Sequence, residues 1–118
     1  MGSDSAAKEL VMYSRTSSCP FVTLAKRVLR DYNVPFRELY YDRDETVRRR
    51  ILEWTGFLSV PTLIVANAGD DLPAEPFDPL PAGSSPRGID RGSMITEPNI
   101  EDLTAWLLKH GFIAEAAT

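Results

Sequence analysis

The stretch Leu10-Val11-Met12-Tyr13-Ser14-Arg15-Thr16-Ser17-Ser18-Cys19-Pro20-Phe21-Val22 changes character twice. Leu10 to Tyr13 is a short unbroken apolar run, suited to a buried strand. Ser14 to Ser18 is a polar turn. Pro20 then stands where a first helical residue is expected, because its missing N–H would be unpaired there in any case. Phe21, Val22, Leu24, Ala25, Val28, Leu29 and Tyr32 recur at helical spacing, and Asn33 closes the run. Cys19 therefore sits between a strand and a helix start, where unpaired N–H groups and a positive partial charge stabilise a thiolate.

The alternation continues downstream. Val34-Pro35 opens an extended run, Phe36 to Tyr41, since the residue before a proline is pushed out of the helical region. Asp44 to Thr55 reads as a second helix with Val47, Ile51 and Trp54 on one face and Gly56 as its cap. Val60-Pro61 opens a third strand, Thr62 to Ala66. Residues 67 to 98 then hold six of the nine prolines and four of the seven glycines, so periodicity gives way to a long irregular loop with one short strand around Ser93 to Thr96. Asn99 is a good N-cap for a last helix bearing Ile100, Leu103, Trp106 and Leu107. Glu101 and Asp102 suit its first turn, Lys109 and His110 its last, and Gly111 closes it. Strands alternating with helices predict an α/β domain. We expect one domain over residues 1–118, with residues 1–7 flexible or appended and residues 67–93 forming a Pro/Gly-rich acidic insertion.

Composition narrows the chemistry. With 118 residues, 43% apolar and 25% charged, the chain has the make-up of a soluble single domain. One cysteine cannot form an intramolecular disulfide, a CxxC pair or a thiolate zinc cage, and the lone His110 argues against a histidine metal site. No metal is expected. A net charge of −4 argues against general nucleic-acid binding. The charge is uneven: residues 26–50 carry eight basic against five acidic side chains, residues 67–102 two against eight. The Arg48-Arg49-Arg50 run reads as a solvated helix face or, more sharply, as the source of one arginine that holds a ligand carboxylate. No apolar run is long enough for a membrane span, and MGSDSAAKEL lacks a signal-peptide core, so a reducing cytoplasmic location is expected. Cys19 could be merely a small buried hydrophobe. Its strand–turn–helix setting, with Arg15 in the same loop, favours a reactive thiol.

Tyr13-Ser14-Arg15-Thr16-Ser17-Ser18-Cys19-Pro20-Phe21-Val22 resembles the active-site loop of glutaredoxins, where a basic residue precedes Cys-Pro-aromatic-Cys at the start of the first helix. Ser59-Val60-Pro61-Thr62 resembles the family's Thr-Val-Pro motif with its cis-proline, and Pro61 lies 42 positions after Cys19. Ile100-Glu101-Asp102-Leu103, with Leu107 and Gly111, is a third anchor. The resemblance covers residues 8–66 and 94–113. It implies a thioredoxin-like fold, a four-stranded mixed sheet flanked by helices, here with an extended loop before the last strand and the C-terminal helix. It also implies glutathione-dependent thiol–disulfide exchange. Cys19 would then be the nucleophile, Pro20 and Phe21 would shape the helix start, and Arg15 would face the glycyl carboxylate of glutathione. Val60, before a cis Pro61, would offer its N–H and C=O to the cysteinyl unit in strand-like pairing. Arg48, Asn99 and Asp102 would be further glutathione contacts.

Three departures shape the expected mechanism. Val22 occupies the resolving position, which leaves a one-cysteine route through a mixed disulfide with glutathione or another small thiol. The family's Gly-Gly pair before the last helix is replaced by Thr96-Glu97-Pro98-Asn99. The connection over residues 67–93 far exceeds the ~2–5 residues of a usual hairpin, as either a partner-facing flap or a disordered insert. The leading expectation is a monomeric monothiol oxidoreductase acting with a small thiol on oxidised or glutathionylated proteins. Two alternatives stand beside it. One is an iron–sulfur cluster carrier built from two chains and two glutathiones, although such members carry Cys-Gly-Phe-Ser. The other is a non-catalytic thioredoxin-fold binding module.

Overall fold

Four consecutive side chains, Leu10 to Tyr13, are wholly buried. A strand can bury successive residues only if both of its faces are covered and both of its edges paired. In the computed structural model, which describes residues 7–81 and 83–114, this strand is β1 (Lys8–Ser14), an inner strand of the sheet. The expected flexible or appended start at residues 1–7 lies, apart from Ala7, outside the described residues.

Helix α1 (Pro20–Asp31) follows, with Pro20 in its first turn and Cys19 as its N-cap. Asn33, at φ 57, reverses the chain after it. Strand β2 (Arg37–Tyr40) returns parallel to β1. Helix α2 (Glu45–Thr55) is capped at its start by Asp44, whose carboxylate accepts from the Thr46 N–H, and at its end by Gly56 at φ 81. Only the left-handed region closes the helix in this way, which suits glycine. Strand β3 (Thr62–Asn67) lies antiparallel to β1, and β4 (Met94–Thr96) lies antiparallel to β3. Helix α3 (Ile100–Lys109) ends the described fold, capped by Asn99 through the Asp102 N–H at 2.7 Å. The sheet order β2-β1-β3-β4 with three helices makes a mixed four-stranded, thioredoxin-like α/β fold.

α1 and α3 pack against each other, and Leu29, Leu103, Trp106 and Leu107 are buried in the core that they share with the sheet. Ile51 of α2 joins the same core, and the Trp54 ring meets Tyr13 edge-on at 5.0 Å. No described helix is long and apolar enough to cross a membrane.

The connection from β3 to β4 is irregular, as its prolines predict, but it is packed against the body. The Tyr13 hydroxyl donates to the Asp71 carbonyl, and burial pushes this phenol's pKa above its ordinary value. Arg37 pairs with Glu9 at 3.0 Å and Asp71 at 2.7 Å. At the far end Arg91 is only 3% exposed. Its guanidinium donates to the carbonyls of Asp78 (2.8 Å) and Trp54 (2.7 Å) and lies 4.8 Å from the Phe77 ring centroid. Three isolated bridges, Ala66 to Pro73, Arg87 to Thr96 and Asp90 to Ile95, tie the segment to β3 and β4.

Hydrogen bonds from a charged donor contribute about 1.5–3 kcal/mol each. Arg91→Ala is therefore expected to lower stability in urea unfolding by about 2–4 kcal/mol and to speed amide exchange at Gly92 to Met94 more than in β1.

Candidate active site

The site is assembled by strand register. Tyr13, near the end of β1, pairs with Thr62, the first residue of β3. The turn leaving β1 and the segment entering β3 are thereby neighbours at one end of the sheet. The Val60–Pro61 peptide bond is cis, the conformation that the resemblance implies. The Thr62 hydroxyl donates to the Ser59 carbonyl at 2.9 Å and meets the Thr96 hydroxyl at 3.0 Å, which locks this segment to β4. The Pro61 carbonyl accepts from the Glu97 N–H at 2.8 Å.

Cys19 enters from the other side. Its backbone is extended (φ −152, ψ 121), its carbonyl accepts the Thr23 N–H, and the residue is buried, 7% exposed. The Sγ lies 4.0 Å from the Val60 carbonyl oxygen, so the thiol touches the segment that the resemblance pairs with a ligand. The Val60 N–H makes no hydrogen bond among the described residues. Val22, one helical turn on, is buried in the core and places only methyl groups where a second thiol would stand.

Arg15 folds back over the turn and donates from Nη2 to the Ser18 carbonyl at 2.6 Å. Its Nε is buried with no partner among the described residues. The turn itself is held by Asp42, whose carboxylate accepts from the Thr16 N–H at 3.1 Å and from the Thr16 hydroxyl. The Thr16 hydroxyl above all, with its N–H, holds this carboxyl below its ordinary pKa of 3.8.

The other expected residues divide. Pro20 and Phe21 form the first turn of α1 beside the thiol. Asn99 spends its side chain on capping α3, and Asp102 is exposed in that helix's first turn. Arg48 is exposed on α2, and no contact among the described residues brings it to Cys19. Of the Arg48-Arg49-Arg50 run, Arg50 turns inward, donating to the Tyr13 hydroxyl at 3.2 Å, while its neighbours form a solvated face.

Two groups at the site escape sequence reasoning. Glu97, at φ 44, turns its side chain inward (12% exposed). Arg87, from the long connection, pairs with Glu97 at 3.2 Å and lies 5.1 Å from the Phe21 ring centroid. Several hollows of the molecule lie elsewhere. One of about 460 Å³ is bounded by Trp54, Phe57, Phe77 and Arg91, and one of about 240 Å³ by Leu10, Phe36, Arg37 and Phe112; neither includes Cys19.

A glutaredoxin family model matches residues 10–68, half of the chain, from β1 through β3. The chain belongs to the glutaredoxin family. The match contains Cys19, Val60 and Pro61, while residues 69–118, with β4 and α3, lie beyond it. A comparison with curated proteins returned no match. Membership supports a thiol oxidoreductase-like function, and the family generally uses glutathione as co-substrate.

Asp42 supplies a pH test of the turn. A carboxyl whose pKa is depressed on folding stabilises above its unfolded value and loses that contribution as pH falls through the folded one. Amide exchange at Thr16, corrected for intrinsic pH dependence, is expected to accelerate as pH drops below 3.8, and Asp42→Asn to remove that dependence.

Proposed function

We propose that the protein is a one-cysteine thiol–disulfide oxidoreductase that works through a mixed disulfide between Cys19 and glutathione or another small thiol. The observation that carries this reading is the placement of the Cys19 thiol at the N-cap of α1 and 4.0 Å from the Val60 carbonyl, with Val22 in the resolving position.

The Cys19 thiolate attacks the glutathione sulfur of a glutathionylated protein. The Cys19–glutathione disulfide forms, the disulfide bond between glutathione and the protein breaks, and the protein leaves as a thiolate. A second glutathione thiolate then attacks the glutathione sulfur of that adduct. Oxidised glutathione leaves, and Cys19 returns as a thiolate. The sulfur stands at the end of α1 where the helix's free N–H groups lie. The cysteinyl unit of the ligand would pair with the Val60 N–H and C=O, displacing the weak thiol contact to that carbonyl. The Arg15 Nε, without a partner among the described residues, is a donor in need of an acceptor, and a ligand carboxylate would supply one. A reducing cytoplasm fits a lone thiol of this kind.

The reading predicts that oxidised glutathione adds one glutathionyl group per chain in intact-mass measurement and that reduced glutathione removes it. Cys19→Ser is expected to abolish the adduct. An unmodified wild-type mass after prolonged exposure would exclude the mechanism.

A further inference from the structure

We propose that Arg87, carried to the thiol site by the long β3–β4 connection, is a specificity-determining residue that selects anionic thiols as partners of Cys19. This inference rests on the function proposed above and names the charge class of the small thiol.

The position of Arg87 is set by backbone contacts as well as by its side chain. Arg87 bridges to Thr96, and the Gly88 N–H donates to the Thr96 carbonyl at 2.7 Å. Thr96 is in turn joined to Thr62, directly after the cis-proline. The chain at residues 87–88 is thus bound to the scaffold that holds Val60 and Pro61. Gly88, at φ 73, runs close to Asp102: a Cβ there would stand 3.6 Å from the Asp102 carboxylate. From this fixed backbone the Arg87 side chain spans two walls of the site, the Phe21 ring and the Glu97 carboxylate.

The guanidinium is only partly used. Its Nε engages Glu97, while Nη1 and Nη2 make no hydrogen bond among the described residues, and the side chain is 63% exposed. Glu97 is inward and Arg87 outward, so an approaching molecule meets the cation first. An arginine fork that is already oriented gives up less rotamer freedom on binding a carboxylate. Arg15 adds a second cation in the β1–α1 turn. Glu97 and Asp102 oppose this field from the α3 side, so the preference is moderate.

The test uses the single cysteine. Cys19 is first converted to its mixed disulfide with 2-mercaptoethanol, a neutral thiol. Equal concentrations of 3-mercaptopropionate, 2-mercaptoethanol or cysteamine are then added, and recovery of free Cys19 is followed by intact mass. The incoming thiolate attacks the mercaptoethanol sulfur, a small disulfide leaves, and the Cys19 thiolate is restored. The readout is the ratio of the 3-mercaptopropionate rate to the cysteamine rate, compared between proteins so that intrinsic reactivities cancel. Exposed charge pairs contribute modestly, so Arg87→Gln is expected to lower the ratio about threefold and Arg87→Glu about tenfold. Arg87→Lys should keep most of it, and 0.5 M salt should compress the wild-type ratio towards that of Arg87→Gln. A ratio unchanged within about twofold in both Arg87→Gln and Arg87→Glu, with circular dichroism matching wild type, overturns the role of Arg87 while leaving the function standing. Failure of all three thiols to restore Cys19 overturns the proposed function and this inference with it.

Discussion

Tyr13 opposite Thr62 is the pairing on which the site depends. That register brings the turn after β1 alongside the segment before β3, and so brings Cys19 within 4.0 Å of the Val60 carbonyl. A slip by one residue would turn every β1 side chain to the other face of the sheet. Leu10, Val11, Met12 and Tyr13 are buried on both faces, so the slip would exchange the two buried sets and break the Tyr13–Trp54 edge contact. The packing that stabilises the fold therefore also holds the thiol in place. Thr62 extends the constraint to β4 through Thr96, so three strands fix the segment around Pro61.

The helix start makes the opposite contribution. Packing specifies where Cys19 sits, whereas the ends of the α1 peptide groups give that place its electrostatic character. Pro20 helps both by starting the helix without a wasted N–H. Val22 then limits the chemistry, because a buried isopropyl group cannot resolve a mixed disulfide from within the chain. Under the proposed mechanism the second thiol comes from outside, and the groups around Cys19 recognise it.

Much of this was legible because it is encoded locally. The apolar run at Leu10, the helical spacing from Phe21 to Tyr32, the caps at Asp44, Gly56 and Asn99, and the Val60-Pro61 step each act within a few residues, and the structure differs from them mainly by one or two residues at element ends. β1 runs from Lys8 to Ser14 rather than from Leu10 to Tyr13, since ladder bonds continue past the apolar core. Arg48 shows where local reasoning stops: the helical phase of three adjacent arginines decides which turns inward, and that one is Arg50. The connection over residues 67–93 was illegible for a related reason. Its order comes from distant partners, Arg91 to Trp54, Asp71 to Tyr13 and Arg87 to Glu97, and none of these leaves a periodic trace. The one usable signal was that Arg87 and Arg91 are the only basic residues from 67 to 102. Both are engaged, one as an anchor and one beside the thiol site.

The central claim is that a single thiol, seated by the β1–β3 register at the start of α1, performs disulfide exchange without a second cysteine. Its most direct measurement is the rate at which glutathione reduces a glutathionylated peptide in the presence of wild-type protein and of Cys19→Ser. The account predicts acceleration by wild type that is proportional to protein concentration, and for Cys19→Ser the rate of buffer alone. Equal rates for the two proteins would contradict it.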